Sequence, residues 1–282
     1  MRANRHATTQ CAAIVHVTRP SSGHLDAFRT RRRQPYGFKT LTVFRPRDND
    51  PTVAAKILNC RVFLRRNFKA GDVAERDATL EALTRLADRA ACAPTEGELL
   101  GFEGEAAARY FWLFSTMLGA AARDFPEFGF EKRTRRPPAD PINAMLSFAY
   151  SLLTRTWLTV LSAIGFDPYL GFYHRPRFGR PALALDMMEP FRPILADSTV
   201  IQVVNNGEVK PDGFLAAGPA VNLKPNARRA FIAAYERRLD QEVTHPVFGY
   251  RVSMRRLLAV QARLLARHLA GEIDDYPHYR VR

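Results

Sequence analysis

Four side chains in this sequence stand where ionised or metal-binding groups are unusual. Glu103 is followed at i+3, i+4, i+7 and i+11 by Ala106, Ala107, Tyr110 and Phe114, the spacing of one helical face, so its carboxylate points with the apolar residues. A carboxylate taken out of water needs a proton, an Arg or a metal beside it. His174 ends the irregular, glycine-bracketed segment Gly165-Phe-Asp-Pro-Tyr-Leu-Gly-Phe-Tyr-His174. Further along, Asp186 and Glu189 lie three apart on one face of a helix expected to begin at Pro181, surrounded by Leu183, Leu185, Met187 and Met188. Pro190 removes the amide that would bond to the carbonyl of Asp186, so that helix bends or ends beside the acids. Together these groups make a mixed oxygen and nitrogen set suited to Mn²⁺ or Mg²⁺. Spacing alone leaves open a structural ion pair for Glu103 and a hydrogen-bonded structural role for His174. Glu105 and Arg109, by contrast, read as an i,i+4 pair on an exposed face.

The elements that must position these groups are mainly helical. Pro51 at a first-turn position, then Val53, Ile57, Cys60 and Leu64 at helical spacing, predict a helix over 52–67. Ala74 to Ala91 and Thr95 to Ala122 read as two more, the second opened by Thr95 as N-cap with Glu98 three residues on. A loop over 124–141 carries Lys132, Arg133, Arg135 and Arg136. Asp140 then caps a helix from Pro141 to Ile164 that is apolar nearly all round, as a central buried helix would be. Further helices are expected from Pro181, over about 226–242 and over about 252–270, giving an all-α reading from residue 51 onward. Residues 1–50 show no sustained helical period, only short apolar patches at 12–17 and 41–44 that could be strands.

Composition sets the partner class. With 282 residues, 46% hydrophobic and 25% charged, the chain can bury a sizeable core, which excludes collagen-like and wholly disordered proteins. The net charge of +14 is carried mostly by Arg, and residues 1–50 hold ten basic and three acidic side chains. Such a field attracts polyanions, so nucleic acid is the expected partner. Cys11, Cys60 and Cys92 are odd in number and form no CxxC pair, which argues against a disulfide framework or a zinc site and fits a reducing compartment such as a cytoplasm. No apolar run approaches the roughly 20 residues of a membrane span.

Several of these stretches occur together and in order in one known family. Phe102-Glu-Gly-Glu-Ala-Ala-Ala-Arg-Tyr-Phe111, Arg135-Arg-Pro-Pro-Ala-Asp-Pro-Ile-Asn-Ala144, Gly-Phe-Tyr-His174, Gly-Arg-Pro-Ala-Leu-Ala-Leu-Asp186 and Met-Glu189-Pro-Phe-Arg-Pro closely resemble the CRISPR-associated Cas1 endonuclease and integrase family, the adaptation integrase. Tyr250 to Tyr276, with Arg255-Arg256, resembles that family's closing helix. The resemblance covers about residue 51 to the end and implies a helical, metal-dependent catalytic domain that inserts spacer DNA into a repeat array. It implies that Glu103, His174 and Glu189 hold the metal, with Asp186 a further acid of the same site. Arg65, Arg66, Arg133, Arg135, Arg136 and Arg180 are the candidate phosphate contacts. A catalytically inactive helical DNA-binding module is the competing expectation. The family also carries a β-rich N-terminal dimerisation domain and docks a small ferredoxin-like partner. Residues 1–50 are shorter than that domain, so the chain resembles a truncated member, one with a misplaced start, or one whose front end another chain supplies, and a weakened homodimer is expected.

Overall fold

The computed structural model describes residues 51–119 and 125–281. The basic segment 1–50, with its two apolar patches, lies outside the described residues, as does 120–122 at the end of the third expected helix.

Helix α1, Pro51–Asn67, starts on its proline and buries Val53, Ala54, Ile57, Cys60 and Leu64 against α2, Val73–Ala91. Asp72 caps α2 by accepting the amide of Ala74 at 2.8 Å. Helix α3, Glu96–Trp112, opens as its sequence predicts, with Thr95 Oγ1 accepting the Glu98 amide at 3.2 Å. It stops ten residues short of the expected end, because the chain tightens into a 3₁₀ turn at Phe114–Met117 that sinks Phe114 and Met117 into the core. Helix α4, Pro141–Ile164, has the predicted bounds. Asp140 accepts the Asn143 amide at 2.7 Å, Pro141 occupies the first turn, and Gly165 ends the helix at φ 103°, a conformation a side chain would strain. Trp157, Leu153 and Leu161 are fully buried on it.

The chain then runs through helix α5, Ala182–Met188, a 3₁₀ turn at Glu189–Phe191, a π-helical turn at Arg192–Asp197 and helix α6, Ser198–Asn205. Pro190 and Pro193 withhold two amides from the ladder, which is why this run is not one regular helix. It lies between α1 and α4 and packs on both. Asn59 of α1 fixes its position, donating to the carbonyl of Pro190 at 2.8 Å and to that of Tyr279 in the C-terminal tail at 2.9 Å.

The all-α expectation is corrected by two antiparallel hairpins among the described residues. Strands β1, Phe214–Ala217, and β2, Ala220–Leu223, pair Phe214 with Leu223 and Ala217 with Ala220 across a turn holding Gly218 at φ 60°. Strands β3, Glu242–Thr244, and β4, Arg251–Ser253, pair Val243 with Val252. The helices between and after them are α7, Pro225–Asp240, and α8, Met254–Leu269, so residues 242, 252 and 253 belong to strands and not to the helices expected there.

Candidate active site

Three separate elements converge on one ammonium group. Lys56 sits on the buried stripe of α1, three residues after Val53 and four before Cys60. Glu103 lies on α3 between the buried Leu99 and Ala106, and Glu189 heads the 3₁₀ turn, 1% exposed. Lys56 Nζ is 2.5 Å from Glu103 Oε1 and 2.7 Å from Glu189 Oε2. The second contact is an ion pair without hydrogen-bond alignment, since Glu189 Oε2 is buried and accepts no hydrogen bond. Arg192 Nη2 reaches the other oxygen of Glu189 at 2.9 Å, and Tyr173 donates its hydroxyl to Glu103 Oε2 at 2.5 Å.

The charges follow this geometry. Burial alone would raise the Glu103 carboxyl, but the Lys56 ammonium beside it outweighs that and holds it down at about 2. Burial likewise disfavours the Lys56 ammonium, and the two carboxylates, Glu189 first, overcome it and raise Lys56 above the ordinary lysine range. Glu103 is therefore an ionised acid facing a partly buried cation, a lysine where the sequence offered a proton, an Arg or a metal.

His174 and Asp186 form a second unit against the first. Asp186 Oδ1 lies 2.6 Å from His174 Nδ1 and accepts the His174 amide at 2.8 Å. Its Oδ2 accepts the amides of Phe172 at 2.7 Å and Tyr173 at 3.1 Å. Asp186 is thus saturated by three consecutive amides and one imidazole. Burial nevertheless raises its carboxyl above the ordinary range. Gly171 is required here, because a β-carbon on it would come within 2.5 Å of Asp186 Oδ2 and 2.8 Å of the Ala182 backbone. His174 Nε2 is turned toward Glu189 Oε1, 3.9 Å away.

A buried carboxylate absent from the sequence reading adjoins this centre. Asp197, at the end of the π turn, accepts the hydroxyls of Tyr110 at 2.9 Å and Tyr150 at 2.7 Å, and burial lifts it to about 6 despite those bonds. Tyr110, Tyr150, Asp197, Lys56, Glu103 and Arg192 line one cavity, with Arg135 at its rim.

The structure sorts the arginines. Arg133 is a correction, because its guanidinium is engaged inside the fold. It donates to Asn143 Oδ1 at 2.7 Å, to Ser147 Oγ at 3.0 Å and to the Thr134 carbonyl, and it stands 5.4 Å above the Tyr150 ring. Arg135 and Arg136 are exposed, Arg180 is half-buried beside the site, and Arg65 and Arg66 are exposed at the far end of α1. Glu105 and Arg109 form the expected surface pair at 2.9 Å. Lys56, Tyr173, Arg192 and Asp197 were missed. Lys56 had a legible signal, a lysine on an otherwise apolar helical stripe.

The donor set suits a hard divalent ion. Two carboxylates from different elements already face one cation, a buried carboxylate oxygen of Glu189 lacks a hydrogen bond, and a borderline imidazole nitrogen points at the same group. Among the described residues, no three acidic, His or Cys side chains are drawn tightly enough around one point to hold an ion as they stand. The ammonium of Lys56 occupies the ground the two carboxylates share.

Fold and site together define a mainly helical domain with a buried cluster of carboxylates, a lysine and a histidine. The chain belongs to the CRISPR associated protein Cas1 family, which matches residues 49–237. It is 60% identical over 230 residues to a CRISPR-associated exonuclease Cas4/endonuclease Cas1 fusion of Rhodospirillum rubrum, covering 82% of this chain and 40% of that protein. A CAS1 protein from Thermotoga maritima superposes with a TM-score of 0.67 at 30% identity, over 78% of this chain and 64% of that one. A chain of a partial Cas6-RT-Cas1–Cas2 complex does so with a TM-score of 0.68 at 27% identity, over 82% and 66% respectively. The chain thus spans under two thirds of the length of the Rhodospirillum and Thermotoga proteins.

Proposed function

We propose that this chain carries the catalytic domain of a Mn²⁺- or Mg²⁺-dependent DNA endonuclease and integrase that inserts new spacer DNA into a CRISPR array. The observation that carries this reading is the convergence of Glu103 and Glu189 on one cation beside a histidine oriented by Asp186, in a chain of the Cas1 family. In strand transfer, the 3′-hydroxyl of the incoming DNA attacks a repeat phosphodiester, forming one P–O bond and breaking another. The hydroxyl proton is lost and the departing oxygen gains one, so the exchange needs no oxidant or reductant. Glu103, His174 and Glu189 would hold the ion, which supplies charge stabilisation at the attacked phosphate and activates the hydroxyl, or water in the nuclease reaction. Asp186 commits His174 Nδ1 to itself, leaving Nε2 for the centre. Arg192 compensates the charge of Glu189, and Tyr173 holds Glu103 by its second oxygen.

Arg135, Arg136 and Arg180, at the rim and the loop beyond it, are assigned to backbone phosphate. We assign residues 51–282 to the catalytic domain. A homodimer and a small ferredoxin-like partner complete the proposed assembly, in a prokaryotic cytoplasm. No described helix is long and apolar enough to cross a membrane.

The test is strand transfer on a branched DNA substrate with Mn²⁺, comparing the native chain with Glu103→Gln and His174→Ala. Loss of product in both variants with retained helical circular dichroism supports the assignment. DNA binding without metal-dependent joining by the native chain would instead mark an inactive binding module.

A further inference from the structure

Three residues beyond His174, the same segment turns back on itself at Arg177–Arg180. The two ends of this turn bridge each other, the Arg180 amide donating to the Arg177 carbonyl at 3.0 Å, and Gly179 holds φ 70° at the apex. A non-glycine residue would be strained there, so this turn is a fixed shape rather than a loose loop. Its other apical residue is Phe178, with a relative exposure of 110%. That value means its ring packs against no other described residue. The base of the segment is tied down by the three amides held on Asp186, and by the amides of Leu183 and Ala184 bonding to the carbonyl of Pro168.

Charge says what would cover this ring. Arg175 and Arg177 are exposed and Arg180 is half-buried, so three arginines lie within three residues of one bare aromatic ring. Arg175 is paired with Glu96 at 3.1 Å, while Arg177 and Arg180 make no ion pair with the described residues. An aromatic face for a base with cations on both sides for phosphate is the arrangement by which proteins take single-stranded nucleic acid. Four residues of chain place Phe178 within about 14 Å of His174, the reach of two or three nucleotides from the reacting phosphate.

We propose that Phe178 is a stacking platform for an unpaired or terminal DNA base within two or three nucleotides of the scissile phosphate, with Arg177 and Arg180 holding the phosphates on either side. This rests on the integrase reading above and adds to it a preference for DNA whose bases are unstacked at the site. The aromatic ring gives shape selectivity without base identity, since every base has a π-face.

Binding is measured with the full chain and two oligonucleotides, a blunt duplex and the same duplex with a single-stranded flap carrying 2-aminopurine beside the junction. The native chain is expected to prefer the flapped DNA and to change the 2-aminopurine fluorescence. Phe178→Ala should weaken flap binding about tenfold, abolish the fluorescence change and leave blunt-duplex affinity within about twofold, whereas Phe178→Trp should restore both. Arg177→Ala with Arg180→Ala should weaken both substrates alike. Phe178 packs against no other described residue, so an unchanged melting temperature confirms an intact fold in each variant. Equal effects of Phe178→Ala on both substrates, or an effect only on self-association by light scattering, would overturn the stacking role. If the native chain binds neither DNA, the integrase reading fails with it. If it binds and joins DNA but ignores Phe178, only the platform fails.

Discussion

Lys56 Nζ lies 2.7 Å from Glu189 Oε2 across 133 residues of sequence, joining the first described helix to the 3₁₀ turn that leads into the π turn. This ion pair sets the electrostatic state of the centre. Two carboxylates that would repel one another are held together by an ammonium that both keep charged.

Replacing Lys56 with Met should therefore destabilise the metal-free protein by about 3 kcal/mol or more, because two carboxylates are left facing each other in a half-buried site. Added Mn²⁺ should recover more stability in Lys56→Met than in the native chain, the ion filling the vacated charge position. Denaturant unfolding with and without Mn²⁺ measures both. Equal gains would mean that Lys56 and the ion do not share ground.

Asp186→Asn should lower strand transfer about 10- to 100-fold while Glu103 and Glu189 remain in place, since the amide cannot hold the His174 imidazole as a carboxylate does. The ring shifts of His174 by NMR should move in this variant. Unchanged shifts with reduced activity would place Asp186 on the metal instead of behind the histidine.

Glu189→Asp keeps the charge and shortens the reach, so it should retain partial activity, whereas Glu189→Gln should lose most of it. Strand-transfer rates over a Mn²⁺ titration check this, and equal activity of the two would contradict a ligand role.

The acid side chain of Asp197 gives a signed pH effect. Its carboxyl rises from 3.8 to about 6 through burial, so the folded protein binds that proton more tightly than the unfolded chain. Its contribution is fully present below pH 3.8 and is lost as pH rises through 6. The unfolding free energy of the native chain minus that of Asp197→Asn should fall by about 3 kcal/mol across this window and stay level above it. Urea unfolding of both proteins across the window reads the difference, and parallel curves would refute it.

In the basic loop, Arg133→Ala should lower the melting temperature, since it unties the loop from α4. Arg135→Ala with Arg136→Ala should leave stability alone, weaken binding to all DNA sequences alike and flatten the salt dependence. A selective loss on one sequence would argue for base contacts.

Local signals account for what the sequence disclosed. Asp140, Pro141 and Gly165 bracket α4 by caps that act within a few residues, and the same holds for Thr95 and α3. The two hairpins stayed hidden because strands of three and four residues carry too little alternation to read, and helix-forming residues adjoin them. In the site, the phase of Glu103 and the break at Pro190 were legible. The role of Asp186 was not, because its partners are backbone amides that no side-chain pattern announces. Arg133 misled for the opposite reason, since its neighbours in the sequence are solvated and its own guanidinium turns inward.

The π-helical turn at Arg192–Asp197 has a further consequence for how the centre is aimed. A 3₁₀ residue advances about 120° around the axis and a π residue about 80°, against about 100° in a regular helix. The three residues at Glu189–Phe191 run ahead by about 60° in all and the six at Arg192–Asp197 fall behind by about 120°, so the wide turn outweighs the tight one and the run leaves about 60° out of step with a regular helix. That offset rotates α6 about the axis relative to α5. Glu189 and Arg192 open the two turns that make the rotation, so the aim of these polar groups is set by the turns and not by the phase of either flanking helix.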